Sequence, residues 1–339
     1  MLSRWLAGAM RWRTREDSPA AAVYLSPRSV AMARGHRAAG RYALEMRADA
    51  VDQLAQAGGA LREQARCLSL GDVPCNVVLA PALYSLSLVE CPQVPPEERK
   101  DAVRWRLQDN LDFPVEQAVI DIFELPQSAS RDRPMVFVAA LHRDALKRLL
   151  DTVHGAGINA ASVDITELAL RNVACGLYPE ADRSVAMLRL TGGSGVINVS
   201  RGEELFLSRR ISGIPAELSP DAWESFNERL LLQVQRSIDY YESAMGQSPC
   251  NALIVATTEG WQDRVRDYLD EMLPLAVRSL REELGSLYDV VLHNPEPSSI
   301  DWQAPTTAQR DALTAALPAM GGLLRMLHER DAADVEDAA

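Results

Sequence analysis

The sequence predicts an α/β protein of two lobes, with a small α/β subdomain inserted into the first. Three observations lead there. Short apolar runs of strand length alternate with helical patterns along most of the chain, the rhythm of layered α/β folds. A strand-rich opening over 20–46 is echoed by a second one over 184–211. Between them the character changes at Pro92, Pro95 and Pro96, and a self-contained helix–strand–strand stretch follows. The expected division is a leader over 1–19, a first lobe over 20–94 plus 161–182, an inserted subdomain over 95–160, a second lobe with a closing helix over 183–327, and an acidic, disordered tail over 328–339.

In chain order, Val23, Leu25, Val30 and Met32 mark a strand pair turning at Ser26-Pro27-Arg28, and 42–46 adds another strand. Residues 51–68 carry a helical pattern broken at Gly58-Gly59, and 75–80 and 84–89 read as strands. Pro95-Pro96-Glu97-Glu98 opens a helix with proline first and acids in the first turn, where they meet the positive end of the helix dipole. That helix is expected to pass Val103, Trp105, Arg106 and Leu107 and to stop before Pro114. Strands over 118–125 and 135–141, a helix over 143–153, a strand over 161–165 and a helix over 166–176 complete the first half. Strands over 184–190 and 196–200 flank Thr191-Gly192-Gly193-Ser194-Gly195, and 204–211 is a third. Leu230, Val234, Ile238, Tyr241 and Met245 form one stripe of a long helix over 223–245. A buried-type strand over 252–256, a helix over 261–273 ended by Pro274, and a last helix over 318–327 beginning at Pro318 follow.

Composition narrows the function. Apolar residues make up 47% and charged residues 24% of the 339, the balance of a folded globular protein. The net charge of -12 repels phosphate backbones, so no nucleic-acid partner is expected. No apolar run approaches the ~18–20 residues of a membrane-spanning helix. Residues 1–15 hold Arg4, Arg11, Arg13 and Arg15 interleaved with Trp5, Leu6, Met10 and Trp12. They read either as a basic amphipathic anchor on anionic lipid or as a disordered leader, and lack the apolar core of an export signal. The five cysteines show no paired spacing and are expected to be reduced thiols, with neither a metal site nor a thiol nucleophile among them.

No catalytic set emerges. The glycine-rich turn at 192–195 lacks the Lys-Ser/Thr helix start of a phosphate loop and precedes a strand, so a hairpin turn is expected there. Asp121, Asp164 and Asp239 have no evident acid–base partners and are expected to be structural.

Three segments resemble a known family. Residues 97–125 (EERKDAVRWRLQDNLDFPVEQAVIDIFEL) look like the segment of PilM-type proteins in which a helix leads to a proline and a Glu-Gln pair before a strand. Arg236-Ser237-Ile238-Asp239-Tyr240-Tyr241 is similar to that family's RS-x-x-YY helix, and Gly321-Gly322-Leu323-Leu324-Arg325 to the GxxLR signature of its closing helix. The chain thus resembles the PilM/MshI family of type IV pilus biogenesis proteins, within the actin-like superfamily. The resemblance implies an actin-like fold, a duplicated ribonuclease H-like pair of lobes around a cleft with one inserted subdomain. It implies ATP bound by two glycine turns, each led by a metal-facing Asp, and a third glycine turn under the adenosine. Backbone N–H groups can close on phosphate only where no side chain intrudes.

All three places depart from that pattern. Tyr24-Leu25-Ser26-Pro27 stands for Asp-x-Gly-Ser, Arg189-Leu190-Thr191 for Asp-x-Gly, and Ala256-Thr257-Thr258 for the adenosine Gly-Gly. Gly192, Gly193 and Arg236 remain as a remnant nucleotide site, and the expectation is no cofactor and no catalysis, with ATP binding kept as the alternative. The resemblance further implies a cytoplasmic assembly protein peripheral to the inner membrane, closest to the MshI branch. Its implied partner is the N-terminal tail of a bitopic inner-membrane protein of PilN/MshJ type, gripped between the first lobe and its subdomain by parts of 75–125, with 1–15 as a second membrane contact. The rivals are an actin-like ATPase with an atypical site and a type II secretion L-like protein; the latter continues into a membrane helix, where this chain ends in an acidic tail.

Overall fold

The computed structural model describes residues 19–338 apart from 39–40, 131–132, 181, 216–219, 259–260, 286–287 and 295–296. The basic segment 1–15 lies outside the described residues. The strands and helices, in chain order, are β1 (Ala20–Leu25), β2 (Ser29–Ala38), β3 (Arg41–Ala50), α1 (Gly58–Cys67), β4 (Pro74–Leu79), β5 (Ser85–Glu90), α2 (Arg99–Arg104), β6 (Ala118–Glu124), β7 (Met135–His142), α3 (Arg143–Gly155), β8 (Asn159–Ile165) and α4 (Thr166–Leu177). The second half holds β9 (Ser184–Thr191), β10 (Ser194–Arg201), β11 (Glu204–Ile211), α5 (Pro220–Asp239), β12 (Ala252–Thr257), α6 (Gln262–Met272), β13 (Ala276–Ser279), α7 (Leu280–Leu284), β14 (Tyr288–His293), β15 (Pro297–Ser299) and α8 (Thr307–Ala338).

The internal echo in the sequence is a true structural duplication. The first sheet contains the order β3-β2-β1-β4-β8, and the second runs β11-β10-β9-β12-β13. In each, the first three strands are antiparallel and the last two join in parallel. Continuous apolar runs such as β1, β4 and β12 suit this, because central strands between two layers are buried on both faces. Helices α4 and α8 lie between the two sheets. The core around them takes Ala22, Tyr24 and Val78 from the first sheet and Val185, Met187 and Ile254 from the second.

Helix α8 differs from expectation at both ends. It begins at Thr307, so Pro318 sits in its interior rather than at its start. It also continues through the acidic tail to Ala338, where alanine-rich sequence favours helix. Gly321 and Gly322 let it approach closely: a β-carbon at Gly321 would land on the carbonyl oxygen of Ala169, and one at Gly322 on the Val78 side chain.

The sheets divide the chain elsewhere than the sequence suggested. β14 pairs in parallel with β3 and extends the first sheet, Tyr288 stacking on Tyr42 at 6.2 Å. Residues 288–299 therefore join the first lobe's sheet, not the second's. The inserted three-stranded sheet has the order β5-β7-β6, so it starts with β5 at Ser85 rather than at 95. Its alternation of Ser85, Leu86, Ser87 and Leu88 is that of a half-exposed edge strand. Helix α3, expected within the insertion, packs Leu146 and Val153 into the first lobe's outer core beside α1. The helix expected to open at Pro95-Pro96 and run to Pro114 is shorter: α2 begins at Arg99, ends at Arg104 and continues as 3-10 turns over Trp105–Asn110. Among the described residues, no helix is long and apolar enough to cross a membrane.

Candidate functional site

The three turns expected to mark a nucleotide site lie at the C-terminal ends of β1, β9 and β12, where the two sheets face each other across α8. At the first, the turn closes on itself. The Ser26 N–H donates to the Ser29 carbonyl at 3.0 Å and the Ser29 N–H donates to Ser26 Oγ at 3.0 Å. Pro27 has no N–H, so little of this turn is left to meet an anion. At the second, Gly192 and Gly193 form the exposed two-residue loop of the β9–β10 hairpin, with Gly193 at φ +74. That left-handed conformation suits glycine. At the third, the Thr258 N–H donates to the Leu190 carbonyl at 3.2 Å, tying the turn to β9.

Arg189 fills the space between them. Its side chain stands where the resemblance expects a metal-facing acid, and the residue is only 5% exposed. The guanidinium lies over the Tyr24 ring at 5.3 Å to the centroid. Its Nε donates to the Thr314 carbonyl at 3.1 Å and Nη2 to the Ala315 carbonyl at 3.4 Å. The first of these bonds has a covalent cause. Pro318 carries no N–H, so the carbonyl four residues earlier, Thr314's, has no helical donor. Arg189 supplies it. Thr314 Oγ1 then donates to the Thr257 carbonyl at 3.1 Å. The replacements of the three nucleotide motifs are thus joined to one another through α8: Tyr24 to Arg189, Arg189 to Thr314, Thr314 to Thr257.

A second arginine crosses between the lobes. Arg210 of β11 donates through Nη2 to the Pro81 carbonyl, and to the Tyr84 carbonyl at 3.0 Å, at the root of the inserted sheet. Below it Tyr84 donates its hydroxyl to the Glu167 carboxylate, and Asn198 Nδ2 donates to the Glu167 carbonyl at 2.8 Å. Burial raises the Glu167 carboxyl above its usual range, with the Tyr84 hydrogen bond pulling the other way. Burial likewise lifts the Tyr84 hydroxyl well above its ordinary value.

The remaining candidates are placed as follows. Arg236 is exposed on α5, which packs on the face of the second sheet away from α8. Its carbonyl accepts from Arg209 Nη1 at 3.3 Å. Among the described residues, no hydrogen bond joins its side chain to Gly192 or Gly193. Asp164 is buried and paired with Arg325 of the GxxLR segment at 3.1 Å, and the Ile165 N–H donates to its Oδ1 at 2.8 Å. Asp121 is buried against Lys100, while Asp239 is exposed. Burial raises the thiols of Cys75 and Cys250, the latter to about 11, so neither is a ready nucleophile. Among the described residues, no cluster of His, Cys, Asp and Glu has the makings of a metal site. Thr314, Tyr84, Glu167 and Arg210 escaped the sequence reading. A proline inside an apolar helical pattern was the available signal for Thr314, since it frees an acceptor one turn earlier.

Between the first lobe and its subdomain, where the partner groove is expected, lies a crevice of about 10 Å³ bounded by Leu79, Tyr84, Leu141 and Ile165. A wider groove of about 200 Å³ opens further along the same face of the inserted sheet, between β5 and β7 and the second lobe's β11 and the π-turn Tyr240–Ala244.

No protein-family model matches the sequence, and no curated protein matches it. Among solved structures, the chain is similar to the PilM-PilN type IV pilus biogenesis complex, at 17% identity and a TM-score of 0.66, covering 91% of this chain and 98% of that one. It is also similar to the cytoplasmic domain of EpsL, an inner-membrane component of the type II secretion system of Vibrio cholerae (17% identity, 71% and 82% covered, TM-score 0.47). A third likeness is to a Bacteroides thetaiotaomicron protein with an actin-like ATPase fold (10% identity, 81% and 95% covered, TM-score 0.49). The fold is the actin-like one, two lobes of mixed α/β sheet with helices between and around them.

Proposed function

We propose that this chain is a non-catalytic assembly protein of a type IV pilus, MSHA-like, or of a related secretion machine, which holds the cytoplasmic N-terminal tail of an inner-membrane protein of PilN/MshJ type. The observation that carries the non-catalytic half is Arg189. A cation that bonds two α8 carbonyls and covers Tyr24 occupies the ground a phosphate and its metal would need. A divalent ion there would face a guanidinium rather than a carboxylate. Support for the assembly half comes from the likeness to PilM in its complex with PilN over nearly the whole of both chains, together with the three matching segments. On this reading the protein works in the cytoplasm beside the inner membrane, with residues 1–15 as a second contact. On the same reading Gly192 and Gly193 are what is left of an ancestral nucleotide site, with Arg236 standing apart from them on α5, and the chain is closest to the MshI branch.

Calorimetric titration of the full-length chain with Mg-ATP, beside a thermal-shift assay, tests the proposal. No heat and no shift at millimolar nucleotide are expected. Micromolar binding would put an actin-like ATPase with an atypical site in its place.

A further inference from the structure

We infer that the groove beside β5 docks an extended peptide that adds to the free edge of this strand, carrying apolar side chains two residues apart and a carboxylate for Arg209. The inference rests on the proposed role as a holder of a protein tail, and names the surface and the chemistry that would do the holding.

The argument starts from strand phase. β5 is the outer strand of the order β5-β7-β6, and among the described residues no strand pairs with its other edge. In an antiparallel pair, alternate residues turn their N–H and C=O toward the partner and away from it. The Cys91 N–H donates to the Pro134 carbonyl at 2.8 Å, continuing the Glu90↔Met135 register. Val89, Ser87 and Ser85 therefore face β7. On the far side of β7, the Leu125 N–H donates to the Met135 carbonyl at 3.0 Å, which assigns the complementary residues of β7 to β6 and agrees with that phase. Tyr84, Leu86, Leu88 and Glu90 then point their backbone groups outward.

The two outer carbonyls of this set are occupied. Arg210 Nη2 donates to Tyr84 at 3.0 Å, and Arg106 Nη1 donates to Glu90 at 2.8 Å. Leu86 and Leu88 are left between them as an open two-residue window. Above that window lies the 200 Å³ groove, with Leu86, Leu88 and Phe137 on one side and Leu207, Arg209 and Tyr240 on the other. Leu88 at 38% and Tyr240 at 39% are among the few large hydrophobic side chains exposed in the described residues.

The occupant follows from three features. Free main-chain donors and acceptors at a strand edge call for another extended chain, since a helix keeps its own backbone groups to itself. Side chains on one face of an added strand recur every second residue, so apolar residues two apart would enter together. Arg209 lies over the Tyr240 ring at 4.7 Å to the centroid and donates to a carbonyl, with no carboxylate partner among the described residues. A peptide acid would complete it.

The test is fluorescence anisotropy of the full-length chain with labelled synthetic N-terminal tails of the single-span inner-membrane proteins from the same cell. A tail with the apolar-x-apolar pattern and a nearby acid is expected to bind. Leu88→Lys and Arg209→Ala should each weaken it about tenfold or more, while both variants melt like the parent. N-methylation of the tail residue facing β5 should weaken it as much, because it removes a main-chain donor. A tail that binds the parent, both variants and its methylated form alike would overturn the groove while leaving the tail-holding role intact. No tail binding the parent at all would overturn the role itself, and the groove with it.

Discussion

Replacing Arg189 with methionine keeps much of the apolar stem and removes the cation. The Thr314 carbonyl, already deprived of its helical donor by Pro318, loses the Nε bond at 3.1 Å, and the Ala315 carbonyl loses one at 3.4 Å. The Tyr24 ring loses the guanidinium 5.3 Å above it. An orphaned buried carbonyl costs about 1–3 kcal/mol, and a desolvated cation–π contact is worth about 0.5–2 kcal/mol. Against these, the variant no longer buries a charge that has no carboxylate partner among the described residues, which offsets part of the loss. A net destabilisation of about 2 kcal/mol is expected from urea unfolding followed by tryptophan fluorescence, with the midpoint shifted and the slope unchanged. The cause can be separated from the size. Pro318→Ala returns an N–H to the Thr314 carbonyl, so Arg189→Met should cost at least ~1 kcal/mol less in that background. Additivity of the two substitutions within ~0.5 kcal/mol would refute the claim that Arg189 serves the acceptor that Pro318 frees.

Gly321→Ala would drive a methyl into the Ala169 carbonyl of α4; because backbone cannot yield as a side chain does, a loss of about 3 kcal/mol or more is expected, read as a lowered melting temperature or insoluble expression. Glu167→Gln tests the buried junction through pH. Burial raises the folded-state value of Glu167, so folding takes up a proton: the carboxyl's contribution is whole below the unfolded value near ~4.3 and is lost as pH rises through the raised value. The glutamine variant should therefore gain on the parent as pH rises above about 4.3, and a difference that stays flat with pH would mean the carboxyl titrates as if exposed.

What could be read from the sequence was local. The central strands β1, β4, β9 and β12 were visible as apolar runs, because double-sided burial leaves them continuous, whereas the short β13, with its alternating burial, and β14 and β15 were not. The departure of the three turns from the pattern that the resemblance implies was visible because glycine and aspartate have no substitutes in a phosphate cradle. Long-range choices were not visible. β14 joins β3 across some 240 residues of sequence, and its own pattern, Tyr288, Val290 and Leu292 turned to the core, fits either sheet equally well. Pro318 misled in a particular way. Proline is common at helix starts, so a start is the local reading, and it takes the tertiary contact with Arg189 to supply the donor that an interior proline withholds from Thr314. Arg189 itself was legible as a cation in an acid's place, but its acceptor depended on that same proline.

The interlobe bonds bear on how such a protein would work. Arg189 and Arg210, both from the second lobe's sheet, end on main-chain carbonyls of α8 and of the root of the inserted sheet. Asn198 ends on the carbonyl of Glu167, and Thr314 on that of Thr257. Bonds of this kind need no ligand to complete them, whereas lobes that close on nucleotide draw their closing energy from the nucleotide's own contacts. On the proposed reading, closure is built into the chain. Arg210 also caps the end of the β5 window and belongs to β11 across the groove, so one side chain ties the two walls of the groove together. A protein whose task is to hold a tail gains from that arrangement: the groove is formed before the tail arrives, and binding need not meet the cost of ordering it.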